Sequence, residues 1–300
     1  MTSTVISDTY TILAGLPASH RQCPFPNWKQ LRNAVQAIYT QLEQHNWSGN
    51  QWLALTDMSQ AAIEKLNEDH GLLAGISVRF TWIGTTGLLK VAAGAPHHFT
   101  TTEIFRYIDS QCFEMGVPRT QLTWGMAVTL PDQAASPQGK QPDACVFPPN
   151  RQPMRGQCNG WPSLVVETGV SESLTKLCRD ATWWFQNSLG DTRIVILLAI
   201  NAGSRELRVE KWQLVPSGRL VTRHLIEELR QRPGLIPPLG QQPAGVQTAF
   251  CVQEVVITPE SIMGQPLVIP FRAMFDRQPN GAERDIIIDN EGFREISRFL

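Results

Sequence analysis

Seven consecutive residues, Ile194-Val-Ile-Leu-Leu-Ala-Ile200, offer no polar face anywhere along the segment. A strand that alternates can leave one side in water, whereas this one must be covered on both sides, which places it at the centre of a sheet. Leu164-Val-Val166 makes the same demand over a shorter stretch. Between the two, Leu174, Leu177, Cys178, Ala181 and Phe185 recur at the spacing of one helical stripe. Strand, helix and strand therefore follow one another, and the class is α/β.

The rest of the chain is read around this centre. Leu31, Val35, Ile38, Tyr39 and Leu42 line one face of a helix within residues 27–46, and a second helix is expected over 59–67. Val78-Arg-Phe80-Thr-Trp82-Ile alternates as a strand, Gly84-Thr-Thr-Gly87 turns, and Leu88-Leu-Lys-Val91 returns as its hairpin partner. A helix over 101–115 buries Ile104, Phe105, Ile108 and Cys112. A strand is expected over 122–130, a polar loop over 131–139, the strand opened by Asp143, a further loop over 148–160, and the strand ended by Glu167. Residues 208–214 read as an edge strand, 221–231 as a short helix, and 231–247 as a Pro- and Gly-rich loop. Strands over 250–258 and 267–274 and a helix from Asn290 complete the chain.

Composition limits the functional classes. With 300 residues, 42% of them hydrophobic, one large domain with additions at both ends is expected. The formal net charge of −1 supplies no global field toward a phosphate backbone, so any nucleic-acid site must be a local patch. Cys23, Cys112, Cys145, Cys158, Cys178 and Cys251 form no Cys-x-x-Cys pair and read as free thiols rather than a zinc or redox site. The first residues lack a basic segment followed by an apolar one, and no run approaches the ~18 apolar residues of a membrane span. The expectation is an intracellular protein, cytoplasmic or nuclear, with no membrane partner.

Two carboxylates carry the chemistry. Asp143 follows Pro142 and opens Ala-Cys-Val-Phe, and Glu167 follows Leu164-Val-Val. An acid at the end of a buried strand is costly to desolvate unless a cation or hydrogen bonds receive it. Two such acids meeting at one sheet edge make a hard oxygen site suited to Mg²⁺ or Mn²⁺. Taken alone, an aspartate after proline is commonly a turn residue or cap. Glu167 has the better claim, because an acid closing an apolar strand is uncommon.

The order helix, strand, Pro142-Asp143, strand with Glu167, helix, buried strand resembles the PD-(D/E)xK nuclease superfamily, the restriction-endonuclease-like fold. Val165-Val-Glu167-Thr-Gly-Val-Ser171-Glu-Ser, with Asp180-Ala-Thr-Trp183-Trp184 after it, is similar to the restriction-endonuclease-like proteins of fungal genomes. Pro270-Phe-Arg-Ala-Met-Phe275-Asp-Arg and Asp285-Ile-Ile-Ile add a weaker likeness. The resemblance implies a central mixed sheet flanked by helices over residues 76–215, preceded by an N-terminal helical extension over 1–75 and followed by a C-terminal α+β extension of the same domain over 216–300. It implies Asp143 and Glu167 as metal ligands, and Glu103, on the first core helix, as the acid that many members add. The lysine such proteins place two residues after the second acid is absent, since that position is Gly169. Lys140, Lys176 or Arg179 are the candidates to supply its charge.

If a divalent ion is held, it lowers the pKa of bound water and acts as a Lewis acid on the phosphate. The leading expectation is therefore a divalent-metal-dependent phosphodiesterase acting on DNA or RNA. Gly169 keeps two alternatives open: a nucleic-acid-binding module that does not cleave, and a scaffold redirected to other chemistry on a small molecule or an aminoacyl-tRNA. His97-His98 reads as a helix entry, with a general base as the sharper option. Trp183-Trp184 reads as core and rim, and Ser171 and Ser173 as helix caps. Arg205, Arg208, Lys211, Arg219, Arg223, Arg230 and Arg232, diluted by glutamates, read as solvated surface.

Overall fold

The structure, a computed structural model, describes residues 12–69, 71–91, 94–131, 137–153, 160–170, 174–219, 221–232, 234–235, 237 and 239–300. Its strands in chain order are β1 (Arg21–Pro24), β2 (Trp52–Thr56), β3 (Val78–Ile83), β4 (Thr86–Val91), β5 (Thr123–Gly125), β6 (Leu130–Pro131), β7 (Gln138–Lys140), β8 (Ala144–Phe147), β9 (Leu164–Val170), β10 (Ile194–Asn201), β11 (Glu206–Leu214), β12 (Ala249–Ile257), β13 (Ile262–Met263), β14 (Leu267–Ile269) and β15 (Ile286–Ile288). The helices are α1 (Trp28–Gln44), α2 (Gln60–Glu68), α3 (Gly94–Glu114), α4 (Leu174–Asn187), α5 (Arg223–Arg230), α6 (Phe271–Phe275) and α7 (Asn290–Ile296).

The main sheet runs β13-β12-β11-β10-β9-β8-β5. β9 and β10 are parallel and joined through α4, while β8 is antiparallel to β9 and β5 to β8. The order α3, β5, β8, β9, α4, β10 gives a mixed sheet flanked by helices, the α/β arrangement expected from the sequence. Residues alternate across the sheet: Val165, Val195 and Leu197 pack with Leu177, Ala181, Trp184 and Phe185 of α4. Val166, Ile196 and Leu198 pack instead with Ile104 and Ile108 of α3. The absence of a polar face on β10 is thereby explained, because a helix covers each side. β11 lies between β10 and β12, so the edge position expected for it is corrected to an interior one.

The N-terminal segment differs from the helical extension expected for residues 1–75. β1 and β2 join β4, β3, β7 and β6 in a second, six-stranded sheet, onto which α1 and α2 pack. The hairpin β3–β4 forms as predicted, and it belongs to this second sheet rather than to the core. The single strand expected over 122–130 is two short strands, β5 in one sheet and β6 in the other, with Ala127 between them in the left-handed region (φ 53°). The expected caps Ser171 and Ser173 lie outside the described residues, as does Cys158. Among the described residues, Cys23, Cys112, Cys178 and Cys251 are free thiols.

The C-terminal segment closes the α3 side of the main sheet. Phe271, Met274, Phe275, Phe293 and Ile296 bury themselves there with the β14–β15 pair. The strand expected over 267–274 stops at Ile269, because Pro270 caps the short helix α6. Asp276 at its end takes Arg193 Nε on Oδ1 at 3.1 Å and Arg151 Nη2 on Oδ2. Those arginines in turn donate to Trp161 O and Leu239 O, so the Pro270-Phe-Arg-Ala-Met-Phe-Asp motif pins the tail to the core.

Gly94 opens α3 with φ +91°, and a Cβ at that position would overlap the ring of Trp47. Gly94→Ala combines left-handed backbone strain with a clash, so a loss of about 2 kcal/mol is expected. Urea unfolding checks it, and a change under about 0.5 kcal/mol, the size of an ordinary surface substitution, would place Trp47 elsewhere.

Candidate functional site

The register that pairs Ala144 with Val166 brings Asp143 beside the middle of β9, where the two sheets face each other. β8 ends there, so beyond Val166 the backbone of β9 needs partners other than a strand. Asp143 Oδ2 accepts from Thr168 N at 2.9 Å, and Lys90 Nζ, from β4, donates to Thr168 O at 2.5 Å. The second sheet thus completes hydrogen bonding that β8 would otherwise have supplied. Glu167 is not at the end of its strand as expected, since β9 continues to Val170 and is buried throughout.

Cations of the chain surround Asp143. Its Oδ2 lies 3.1 Å from Lys90 Nζ, and its Oδ1 lies 3.2 Å from Arg79 Nε and 3.3 Å from His97 Nε2. The last two contacts are at ion-pair distance without hydrogen-bond alignment. Burial alone would raise the pKa of Asp143, but Lys90, His97 and Arg79 outweigh it and hold the carboxyl well below its usual range. Burial lowers the pKa of His97, with Asp143 offsetting part of that shift.

Glu167, on the alternate face, turns toward α4. Its Oε1 accepts from Trp184 Nε1 at 2.7 Å and lies 3.4 Å from Lys140 Nζ. Burial raises its pKa, Asp143 and Asp180 add to the shift, and Lys140 offsets it. Lys140 Nζ is also 3.0 Å from Asp180 Oδ1, and Lys176 Nζ is 2.5 Å from the same oxygen. Burial would raise the pKa of Asp180, yet Lys140 and Lys176 bring it below the ordinary value. Burial opposes the charge on Lys140, and Asp180 and Glu167 together still raise its pKa.

Of the five residues expected at the site, Glu167, Lys140 and Lys176 share one contact network through Asp180, while Asp143 is held in a neighbouring one by Arg79, Lys90 and His97. Glu103 is in neither. α3 starts at Gly94, seven residues before the expected helix start, so Glu103 falls well beyond its first turn. The Glu103 carboxylate is taken by Arg298 at 2.8 Å and Arg106 at 3.4 Å. Lys140 stands beside Glu167 where Gly169 leaves the strand without a cation. Arg179 is exposed, at the rim of a cavity of about 190 Å³ that Lys140, Lys176 and Asp180 also line.

Arg79, Lys90, His97, Asp180 and the Trp184 indole were not anticipated as members of this cluster. Two of them had a signal. Lys90 interrupts Leu88-Leu-Lys-Val91, and a lysine inside a buried strand needs a partner. Asp180 stands four residues after Lys176 on the buried side of an amphipathic helix.

The donor set does not fit a divalent cation. Four cationic side chains (Arg79, Lys90, Lys140, Lys176) face three carboxylates (Asp143, Glu167, Asp180), and both Asp143 oxygens are in contact with nitrogen. An Mg²⁺ or Mn²⁺ site needs oxygen ligands with excess negative charge. Among the described residues no group of three or more His, Cys, Asp and Glu could hold a metal ion. No described helix is long and apolar enough to cross a membrane.

Neither the protein-family models nor the curated proteins match this sequence. Among solved structures, the chain is similar to a candidate nuclease of the DUF820 family from Anabaena variabilis. The similarity is at 15% identity with a TM-score of 0.34, covering 50% of this chain and 84% of that one.

Proposed function

We propose that this chain is a restriction-endonuclease-like scaffold that binds nucleic acid without hydrolysing it through a divalent metal. The observation behind this reading is the closure of Asp143 by Arg79, Lys90, His97 and the Thr168 amide. A metal at that carboxylate would have to displace Lys90, Arg79 and His97 from its oxygens, at the cost of breaking buried ion pairs. Binding must be local and of small footprint. The net charge is −1, and duplex recognition ordinarily covers roughly 1,000–2,500 Å² of protein. A cavity of about 600 Å³ has the dimensions of a small-ligand site. Single-stranded nucleic acid, read base by base, suits such a site better than a duplex.

A second reading is favoured by one observation. Lys140 Nζ, 3.4 Å from Glu167, restores the acid-and-lysine pairing that Gly169 removes, which is what a working hydrolase requires. One experiment separates the two. Single- and double-stranded DNA and RNA are incubated with the protein and Mg²⁺ or Mn²⁺, with Glu167→Ala in parallel. The expected result is intact substrate with either protein and salt-sensitive binding of the single strands. Cleavage that Glu167→Ala abolishes would overturn the proposal in favour of the hydrolase.

A further inference from the structure

The cavity of about 600 Å³ lies against the same acid cluster, on the side of α3. Arg79 and His97, which both touch Asp143, line it together with Tyr39, Trp47, His98 and Phe99. Its aromatic walls come from different parts of the chain: Tyr39 from α1, Trp47 from the turn after α1, and Phe99 from α3. Tyr39 and Trp47 support each other edge to face at 5.6 Å, and Phe99 stacks on Phe299 at 4.5 Å, so neither wall is a lone mobile ring.

The backbone at the rim is unusual. Asn46 (φ 52°), Trp47 (φ 64°) and Ala74 (φ 58°) are all non-glycine residues in the left-handed region, and Trp47 and Ala74 line the cavity. Two such residues on one lining are a stored cost, and strain of this kind gathers at ligand sites. Arg79 adds charge and direction. Nη1 donates to Ser77 Oγ and Val78 O, each at 3.2 Å, and Nε faces Asp143. Among the described residues Nη2 carries no hydrogen bond. A guanidinium oriented in this way presents its remaining N–H groups to an anionic oxygen.

We infer that this cavity holds one nucleotide unit, with its base against the Tyr39, Trp47 and Phe99 rings and its phosphate on Arg79. The inference rests on the non-hydrolytic binding reading and names the part of the ligand that reading leaves open. A base has an aromatic face whatever its identity, so ring walls give affinity without strict sequence choice. The unit can come from a free mononucleotide or from a single strand, and the experiment distinguishes these sources.

Titration of the protein with AMP, UMP and short oligo(dT) or oligo(U), followed by tryptophan fluorescence, tests the site. Saturable quenching is expected. Phe99→Ala is expected to weaken binding about tenfold or more, the usual loss for one base-stacking ring. Ser77→Trp, at an exposed position on the lining, is expected to abolish binding by filling the cavity, with an unchanged melting temperature showing that the fold is intact. Saturation by mononucleotides assigns the free nucleotide as the source, and saturation by oligonucleotides alone assigns a strand. Absence of quenching by every probe up to millimolar concentration overturns the inference. So does oligonucleotide binding that both variants leave unchanged, although in that case the non-hydrolytic binding module itself stands.

Discussion

Asp143→Ala is expected to destabilise the protein by about 3–5 kcal/mol, the cost of stripping the counter-ion from buried charges. Asp143 is fully buried, and its removal takes a buried counter-ion from Lys90 and Arg79 and unpairs the Thr168 amide. The behaviour of an evolved active-site acid is different. Such residues are commonly held at a cost to stability, and replacing them often leaves the fold unharmed or firmer. Urea unfolding therefore reports on function as well as on folding. Glu167→Gln provides the contrast, because an amide oxygen can still accept from Trp184 and Asp180 remains to pair Lys140. A change within about 1 kcal/mol is expected there, since the hydrogen bond from Trp184 is kept and Lys140 keeps Asp180. If Asp143→Ala is neutral or stabilising, the carboxylate is not serving as the internal counter-ion, and the closed-site reading fails with it.

The pH dependence carries the same signature. Asp143 and Asp180 both have folded pKa values below the ordinary 3.8, so each contributes stability above that value and loses it as pH falls through its own lower one. Glu167 is shifted the other way, from an ordinary 4.5 upward, so its contribution is present below 4.5 and is lost as pH rises through the folded value. In acid, where Asp143 becomes protonated, the difference between the parent and Asp143→Ala should shrink.

Much of the core was legible because its demands are local. β9, β10 and α4 follow from runs and stripes contained within a few residues, and the β3–β4 hairpin follows from alternation around Gly84-Thr-Thr-Gly87. β2 was not legible, since Trp52-Leu-Ala-Leu is short and buried on both faces, and nothing local tells such a run from the end of a helix. α6 was concealed in an apolar stretch that only Pro270 punctuates. At the site, the two acids announced themselves by standing beside buried strands. Their counter-ions Arg79 and Lys90 did not, because both belong to a hairpin of the other sheet and reach Asp143 across 64 and 53 residues of sequence respectively, from positions 79 and 90 to 143. No spacing rule within an element encodes a contact made between sheets. Lys211 shows the opposite error: surrounded by glutamates and arginines in sequence, it reads as surface, yet β11 lies inside the sheet and buries it.

That lysine supports the last prediction, a gain in stability from removing a charge. Lys211 is fully buried on β11 and donates to Val268 O at 2.5 Å, joining β14 to the main sheet. Burial lowers its pKa from 10.5 to about 7, with Asp285 opposing the shift only in part. Between those two values the unfolded chain binds a proton that the folded chain releases, so the parent protein should become more stable as pH rises from about 7 toward 10.5. The slope approaches about 1.4 kcal/mol per pH unit in the middle of that window. Lys211→Met keeps an unbranched apolar stem of similar length and removes the titrating group. It gives up the hydrogen bond to Val268 O, a bond of the kind worth about 1 kcal/mol. The net expectation is a gain of roughly 2–3 kcal/mol at pH 7, with a flatter dependence of stability on pH up to 10. Unfolding curves for both proteins at pH 7, 8.5 and 10 decide the matter. Parallel curves at all three values would mean that Lys211 stays protonated in the fold, with a counter-charge that offsets its burial.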